Sequence, residues 1–264
     1  MPLVDCGGHR LHFRVRGAAA APPLLLVQGM AMPASAWLDL PARLARRFQV
    51  VVFDNRGTGL STAPRGPFRI ADLADDAARV LGAAGVESAF VFGISMGGMI
   101  AQELALRHPA RVRKLALAAT FCSHRRSTKP SLAVAIDLGL AMLSTGRLGP
   151  ARRLLVSDAW FERSPNAFVR WWAHTRPAGP RLVLRQIGAV IRHEAEERLA
   201  GLHVPTLILS GDRDRMVPVE NARRLAALIP GARLVVLPGA GHAFPFEREE
   251  ETVRLLAEHF LGDP

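Results

Sequence analysis

The stretch Val91-Phe92-Gly93-Ile94-Ser95-Met96-Gly97-Gly98-Met99 constrains the fold of this chain more than any other. An apolar run, residues 89–92, leads into it, and a helical pattern, residues 99–106, leads out. G-x-S-x-G between a strand and a helix predicts a sharp turn that strains Ser95 and lifts its hydroxyl clear of a sheet. Gly93 and Gly97 lack Cβ, so the two arms of such a turn can approach closely. The following helix would point its free N–H groups and positive dipole end at the serine, which suits a developing anion. The five letters alone also fit an ordinary glycine-rich turn. The strand before and the helix after give them weight.

The rest of the chain repeats that strand-and-helix alternation. Residues 9–17 alternate polar and apolar side chains, as a half-buried antiparallel strand does. Residues 24–27, 49–53, 88–92, 114–118, 206–210 and 232–237 are short apolar runs, most of them continuous enough for strands buried on both faces. Helical patterns fall at 38–48, 70–82, 219–228 and 249–261. This alternation predicts an α/β fold with a mostly parallel sheet flanked by helices. From about residue 121 to 202 no convincing strand occurs, and helical stretches at 132–143, 150–155, 166–172 and 182–200 replace it. The expected organisation is an α/β core of residues 1–120 and 203–264, interrupted by a helical cap at 121–202.

Charge and composition narrow the partners. The net charge is +11, but the excess is arginine spread along the chain in pairs such as Arg46-Arg47, Arg125-Arg126, Arg152-Arg153 and Arg223-Arg224. No recognition-helix or base-stacking motif accompanies it, so a solvated surface is expected and no nucleic acid. No apolar run reaches membrane-spanning length, and no basic region precedes an apolar run at the N-terminus. A cytoplasmic protein with no membrane partner is expected. Cys6 and Cys122 form no motif and read as free thiols. No Cys/His cluster has metal-ligand spacing, so neither metal nor other cofactor is expected.

A serine hydroxyl is a poor nucleophile until a base takes its proton, and the base needs an orienting partner. In parallel sheets such groups sit at the carboxyl ends of strands. His242, in Gly239-Ala240-Gly241-His242, is the one histidine in a glycine-bearing loop directly after a predicted parallel strand, and is the candidate base. Two aspartates compete for the orienting role after the strand at 206–210. Asp212 directly follows Gly211, where a turn would use it. Asp214 stands three residues before Val217 and is better placed to reach across. The chain order Ser, Asp, His is the one that accompanies this serine turn. Two backbone N–H groups, of Met96 and of Met30, are placed to hold an oxyanion.

These residues resemble the α/β-hydrolase fold superfamily, and most closely its small capped esterases and lactonases of the 3-oxoadipate enol-lactonase kind. The resemblance is carried by Gln28-Gly29, the segment Asp54-Asn55-Arg56-Gly57-Thr58-Gly59-Leu60-Ser61, the Ser95 motif, His108-Pro109, Gly211-Asp212-Arg213-Asp214 with Val217-Pro218, and Gly239-Ala240-Gly241-His242. It covers the core on both sides of the insertion. It implies an α/β-hydrolase fold, Asp214 as the triad acid, and a structural role for Asp54 and Arg56. Relatives commonly have His-Gly where this chain has Gln28-Gly29. A glutamine can also bond backbone, so the oxyanion loop should survive the change.

The function implied is hydrolysis of a carboxylic ester or lactone with an apolar moiety, through an acyl-enzyme. A lyase, a carbon–carbon bond hydrolase or a cofactor-free perhydrolase would use the same triad, and a binding protein on this fold is a further alternative. The partner expected is a small-molecule ester or lactone, and the sequence leaves room for a homodimer. Gln28, Gly29, Met99, Phe121, Trp160 and Trp171 are the candidate pocket residues, with Met30 and Met96 near the floor. Most large apolar groups of the insertion are expected to build its own core, and some to roof the pocket.

Overall fold

A computed structural model describes residues 2–143, 148–175 and 178–262. In chain order the strands are β1 (Leu3–Asp5), β2 (Arg10–Arg16), β3 (Pro23–Val27), β4 (Gln49–Phe53), β5 (Ala89–Ile94), β6 (Val112–Ala118), β7 (Thr206–Gly211) and β8 (Arg233–Leu237). The helices are α1 (Leu40–Leu44), α2 (Ile70–Ala83), α3 (Met96–Arg107), α4 (Leu132–Leu143), α5 (Leu148–Leu155), α6 (Asp158–Arg163), α7 (Pro165–Thr175), α8 (Pro180–Ile191), α9 (Glu220–Leu228), α10 (Phe244–Glu247) and α11 (Glu249–Leu261).

The strands form one eight-stranded sheet in the order β1-β2-β4-β3-β5-β6-β7-β8. The pairs β1–β2 and β2–β4 are antiparallel, and every pair from β4 through β8 is parallel. Successive side chains of a strand point to opposite faces, and the core divides accordingly. Leu25 and Val27 of β3 pack with α2, α3 and α9, through residues such as Leu73, Ile100 and Leu225. Leu24 and Leu26 pack on the other face with α1 and α11, through Leu44, Leu256 and Phe260. Helix α3 is buried from Met96 through Ala105, which fixes the position of the turn preceding it.

Two expectations of local structure change. Only Leu40–Leu44 of the predicted 38–48 helix is α-helical. Leu38 turns to φ 47°, so the preceding Ala34–Trp37 forms a separate 3-10 turn. The predicted 182–200 helix ends at Ile191. There the chain bends back to bridge residue 123, with Ala195 N donating to Cys122 O at 2.7 Å and His124 N to His193 O at 3.0 Å. That bridge brings together the two ends of the helical segment between β6 and β7. Strand β1 and the helices α6 and α10 are additions to the predicted pattern. Cys6 and Cys122 are free and buried.

Candidate active site

Ser95 sits between β5 and α3 at φ 57°, ψ −123°, a left-handed conformation that an L-residue adopts only under constraint. Its N–H donates to Ala118 O at 2.8 Å, and its carbonyl accepts from Thr120 Oγ1 at 2.7 Å and from Gly98 N at 2.9 Å. A Cβ on Gly93 would lie 2.2 Å from Gly97 O, and one on Gly97 only 2.1 Å from Val27 O. The turn closes because both positions are glycine. Met96 N is the first amide of α3 and has no intrahelical acceptor.

The strand ends β7 and β8 supply the other groups. Asp214 follows β7 with its side chain fully buried, and its Oδ2 lies 2.8 Å from His242 Nδ1. The other oxygen, Oδ1, accepts from Met216 N and Val217 N, both at 2.9 Å. Three bonds therefore orient this carboxylate. Asp212 faces away, and its Oδ1 accepts from Gly239 N at 2.6 Å. It ties the loop after β7 to the loop carrying His242. With Nδ1 engaged by Asp214, the imidazole presents Nε2 as its free nitrogen, and His242 and Ser95 face one cavity.

That cavity holds about 90 Å³. Gln28, Gly29, Met30 and Trp171, all anticipated, line it. Met99, Phe121 and Trp160 do not. Met96 and Met99 are buried in the core on the α2 and α3 side of the sheet, and Phe121 packs against the same cluster. Trp160 stacks edge-on against Phe246 at 4.9 Å, inside an aromatic cluster of the helical segment with Phe168, Trp171 and Trp172. Trp37, Met32, Leu155, Met216 and Phe246 take their places on the wall. Trp37 reaches the site because the 3-10 turn at Ala34–Trp37 folds beneath it. Among the described residues lining the cavity there is no lysine, arginine or carboxylate.

The Gln28–Met32 loop is held from three directions. Gln28 Oε1 accepts from Gly29 N at 2.8 Å, Asn55 Nδ2 donates to Gln28 O at 3.0 Å, and Ala31 N donates to Gln186 Oε1 at 2.8 Å. Gln186, fully buried on α8, was not anticipated from the sequence. Asp54 shapes the neighbouring loop by accepting from Ala34 N at 2.7 Å and Leu60 N at 3.0 Å.

Elsewhere, Cys6, His9 and Asp76 are buried with their ligand atoms within 4.8 Å of one another, a grouping that the spacing in sequence does not reveal. Arg56 Nε lies 2.6 Å from Asp76 Oδ2, and Arg79 Nη1 lies 3.8 Å from Oδ1. Two guanidinium groups already neutralise the carboxylate, so the cluster is an ion-pair network and a poor host for a cation.

Comparison with known proteins places this geometry. A model of the alpha/beta hydrolase fold matches residues 22–249, and the chain belongs to that family as a hydrolase. RutD of Azorhizobium caulinodans, provisionally named a carbamate hydrolase, is 34% identical over 251 residues, with 92% of each chain covered. The crystal structure of an enol-lactonase from Burkholderia xenovorans superposes with a TM-score of 0.87 at 26% identity, over 98% of this chain and 100% of that one. An N-acyl homoserine lactone degrading enzyme superposes with a TM-score of 0.82 at 28% identity, over 97% and 98%.

Proposed function

We propose that the chain is a serine hydrolase that cleaves a neutral, apolar carboxylic ester or lactone through an acyl-enzyme. The observation that carries this reading is the strained Ser95 sharing one cavity with His242, whose Nδ1 is held 2.8 Å from a threefold-bonded Asp214. His242 Nε2 takes the proton of Ser95 Oγ as that oxygen attacks the acyl carbon. Asp214 keeps the imidazole oriented and stabilises its charged form. The backbone N–H groups of Met30 and Met96 receive the oxyanion. Collapse of the tetrahedral intermediate transfers the proton from His242 to the leaving alcohol. Water then enters by the same route in reverse, and Ser95 is released with the acid product.

Residues 121–202 act in this reading as a lid, contributing Leu155 and Trp171 to the wall. The names of the relatives support attack on an acyl carbon, because lactones and carbamates both present one. The carbon-lined wall, without a cation, supports an uncharged acyl group. A cavity of about 90 Å³, against roughly 150 Å³ for one that admits benzene, supports a short acyl group. A panel of p-nitrophenyl esters of rising chain length, neutral lactones and carboxylate-bearing lactones tests the proposal. Turnover is expected with short neutral esters and lactones and at least about tenfold lower kcat/KM with carboxylate-bearing ones, an unpaired buried charge costing more than 1.4 kcal/mol. Turnover of none of these substrates would overturn it.

A further inference from the structure

One buried carboxylate joins the loop that carries His242 to the helical segment above it. Glu247 ends α10 and is 9% exposed. Its Oε1 accepts from Gly241 N at 3.0 Å and from Ser157 N at 2.9 Å, and Ser157 Oγ lies 2.9 Å from its Oε2. Gly241 immediately precedes His242, and Ser157 immediately precedes α6. On the other side of the histidine, Ala243 N donates to Leu155 O at 2.7 Å. Both chain neighbours of His242 are thus bonded to residues 155–157, Gly241 through Glu247 and Ala243 directly.

The packing is built for this contact. A Cβ on Gly241 would lie 2.8 Å from Ser157 N and 2.9 Å from Val156 C, so only glycine lets the two backbones meet. Phe246, one residue before Glu247, stacks on Trp171 at 4.8 Å and faces the cavity. Burial pushes the Glu247 carboxyl above the usual carboxylate range, while the bonds from Ser157 and Gly241 pull it back. A buried carboxylate is tolerated where hydrogen bonds satisfy it, and this one has three.

We propose that Glu247 is a positioning residue that locks the lid at residues 155–157 to the loop of His242, so that lid and imidazole take up their working positions together. The proposal rests on the reading of Ser95 and His242 given above. Proton transfer from Ser95 requires the imidazole within hydrogen-bond reach, and a misplacement of about 1 Å costs on the order of 100-fold in rate. A cut tie therefore acts on the chemical step even for a substrate too small to touch the lid.

The test compares Glu247→Ala, Glu247→Gln and Ser157→Ala using p-nitrophenyl acetate, p-nitrophenyl butyrate and a fluorophosphonate. Glu247→Ala is expected to lower kcat about 10- to 100-fold on both esters, with KM within about threefold, and to slow fluorophosphonate labelling in parallel. Glu247→Gln should stay within about threefold of wild type, because its amide can accept the two backbone N–H groups and donate to Ser157 Oγ. Ser157→Ala keeps the backbone bond and should lose about two- to fivefold in kcat. Amide exchange at residues 155–157 and 241–243 should rise together in Glu247→Ala. Unchanged kcat, a change in KM alone, a loss confined to the longer ester, or unchanged exchange would each overturn the tie. If Glu247→Ala does not fold, failure of Glu247→Gln or normal kcat in Ser157→Ala overturns it. A wild-type chain that takes no fluorophosphonate would instead overturn the reading of Ser95, and the exchange experiment would still decide the tie.

Discussion

Asp212 and Asp214 stand two residues apart and bond to different partners. Asp214 has no exposed side-chain surface and three bonds, one of them to His242. The Asp212 carboxylate accepts instead from Gly239 N and lies 3.9 Å from Arg213 Nε. Asp214→Asn removes the acceptor that orients the imidazole, a loss on the order of 10⁴-fold in a serine protease triad, so a fall in kcat of at least about 10³-fold is expected. Asp212→Ala should cost about 0.5–1.5 kcal/mol of stability and leave kcat within about tenfold of wild type. Steady-state kinetics and urea unfolding of both variants separate the roles, and the reverse pattern would move the orienting role to Asp212. The distinction was legible in the sequence because Gly211 marks a turn at Asp212, while Val217-Pro218 opens the next element after Asp214. The wall of the cavity was less legible. Met30 and Met96 lie near one motif each, yet the loop after β3 brings Met30 to the cavity while the first turn of α3 turns Met96 into the core. Trp37 was missed because nothing in its neighbours signals that Leu38 turns to φ 47°.

At the scale of elements, the turn at Ser95 depends on β3 as much as on β5 and α3. The Cβ of Gly97→Ala would meet Val27 O, and Gln28, Gly29 and Met30 follow directly. Backbone atoms cannot yield as a side chain does, so the variant is expected to lose about 1–3 kcal/mol and to displace the Met30 N–H. Urea unfolding should register the first effect and a kcat loss the second; full activity at unchanged stability would contradict this account of the turn. The sheet could be read from the sequence because strands buried on both faces are continuous apolar runs between turn residues. The segment between β6 and β7 could be read only as helical. Helix α4 is apolar but for Asp137, with Leu132 78% and Ile136 55% exposed, so periodicity cannot say which side faces inward. Phe121 and Trp160 were assigned to the cavity as large apolar groups of the segment expected to roof it, and packing sent each elsewhere.

Across the whole molecule, burial makes stability depend on pH. His193 and His259 are both held down to about 4 by burial. The unfolded chain protonates them nearer their ordinary value of 6.5, before the fold can. Stability is therefore full above about pH 6.5 and falls as the pH drops toward 4, by on the order of 6 kcal/mol for the two together. Chemical unfolding at pH 7.5, 6 and 5 measures the slope, and His193→Gln should flatten it; an unchanged slope would contradict the assignment. The central claim, that this hydrolase works through a covalent bond to Ser95, is tested most directly by mapping a fluorophosphonate adduct by mass spectrometry. In wild type one adduct per chain is expected, on the peptide that carries Ser95, with loss of ester turnover in step. Ser95→Ala should take none and should hydrolyse esters at least about 10³-fold more slowly. Near-wild-type hydrolysis by a folded Ser95→Ala chain, or an active wild type whose adduct forms elsewhere, would contradict the account.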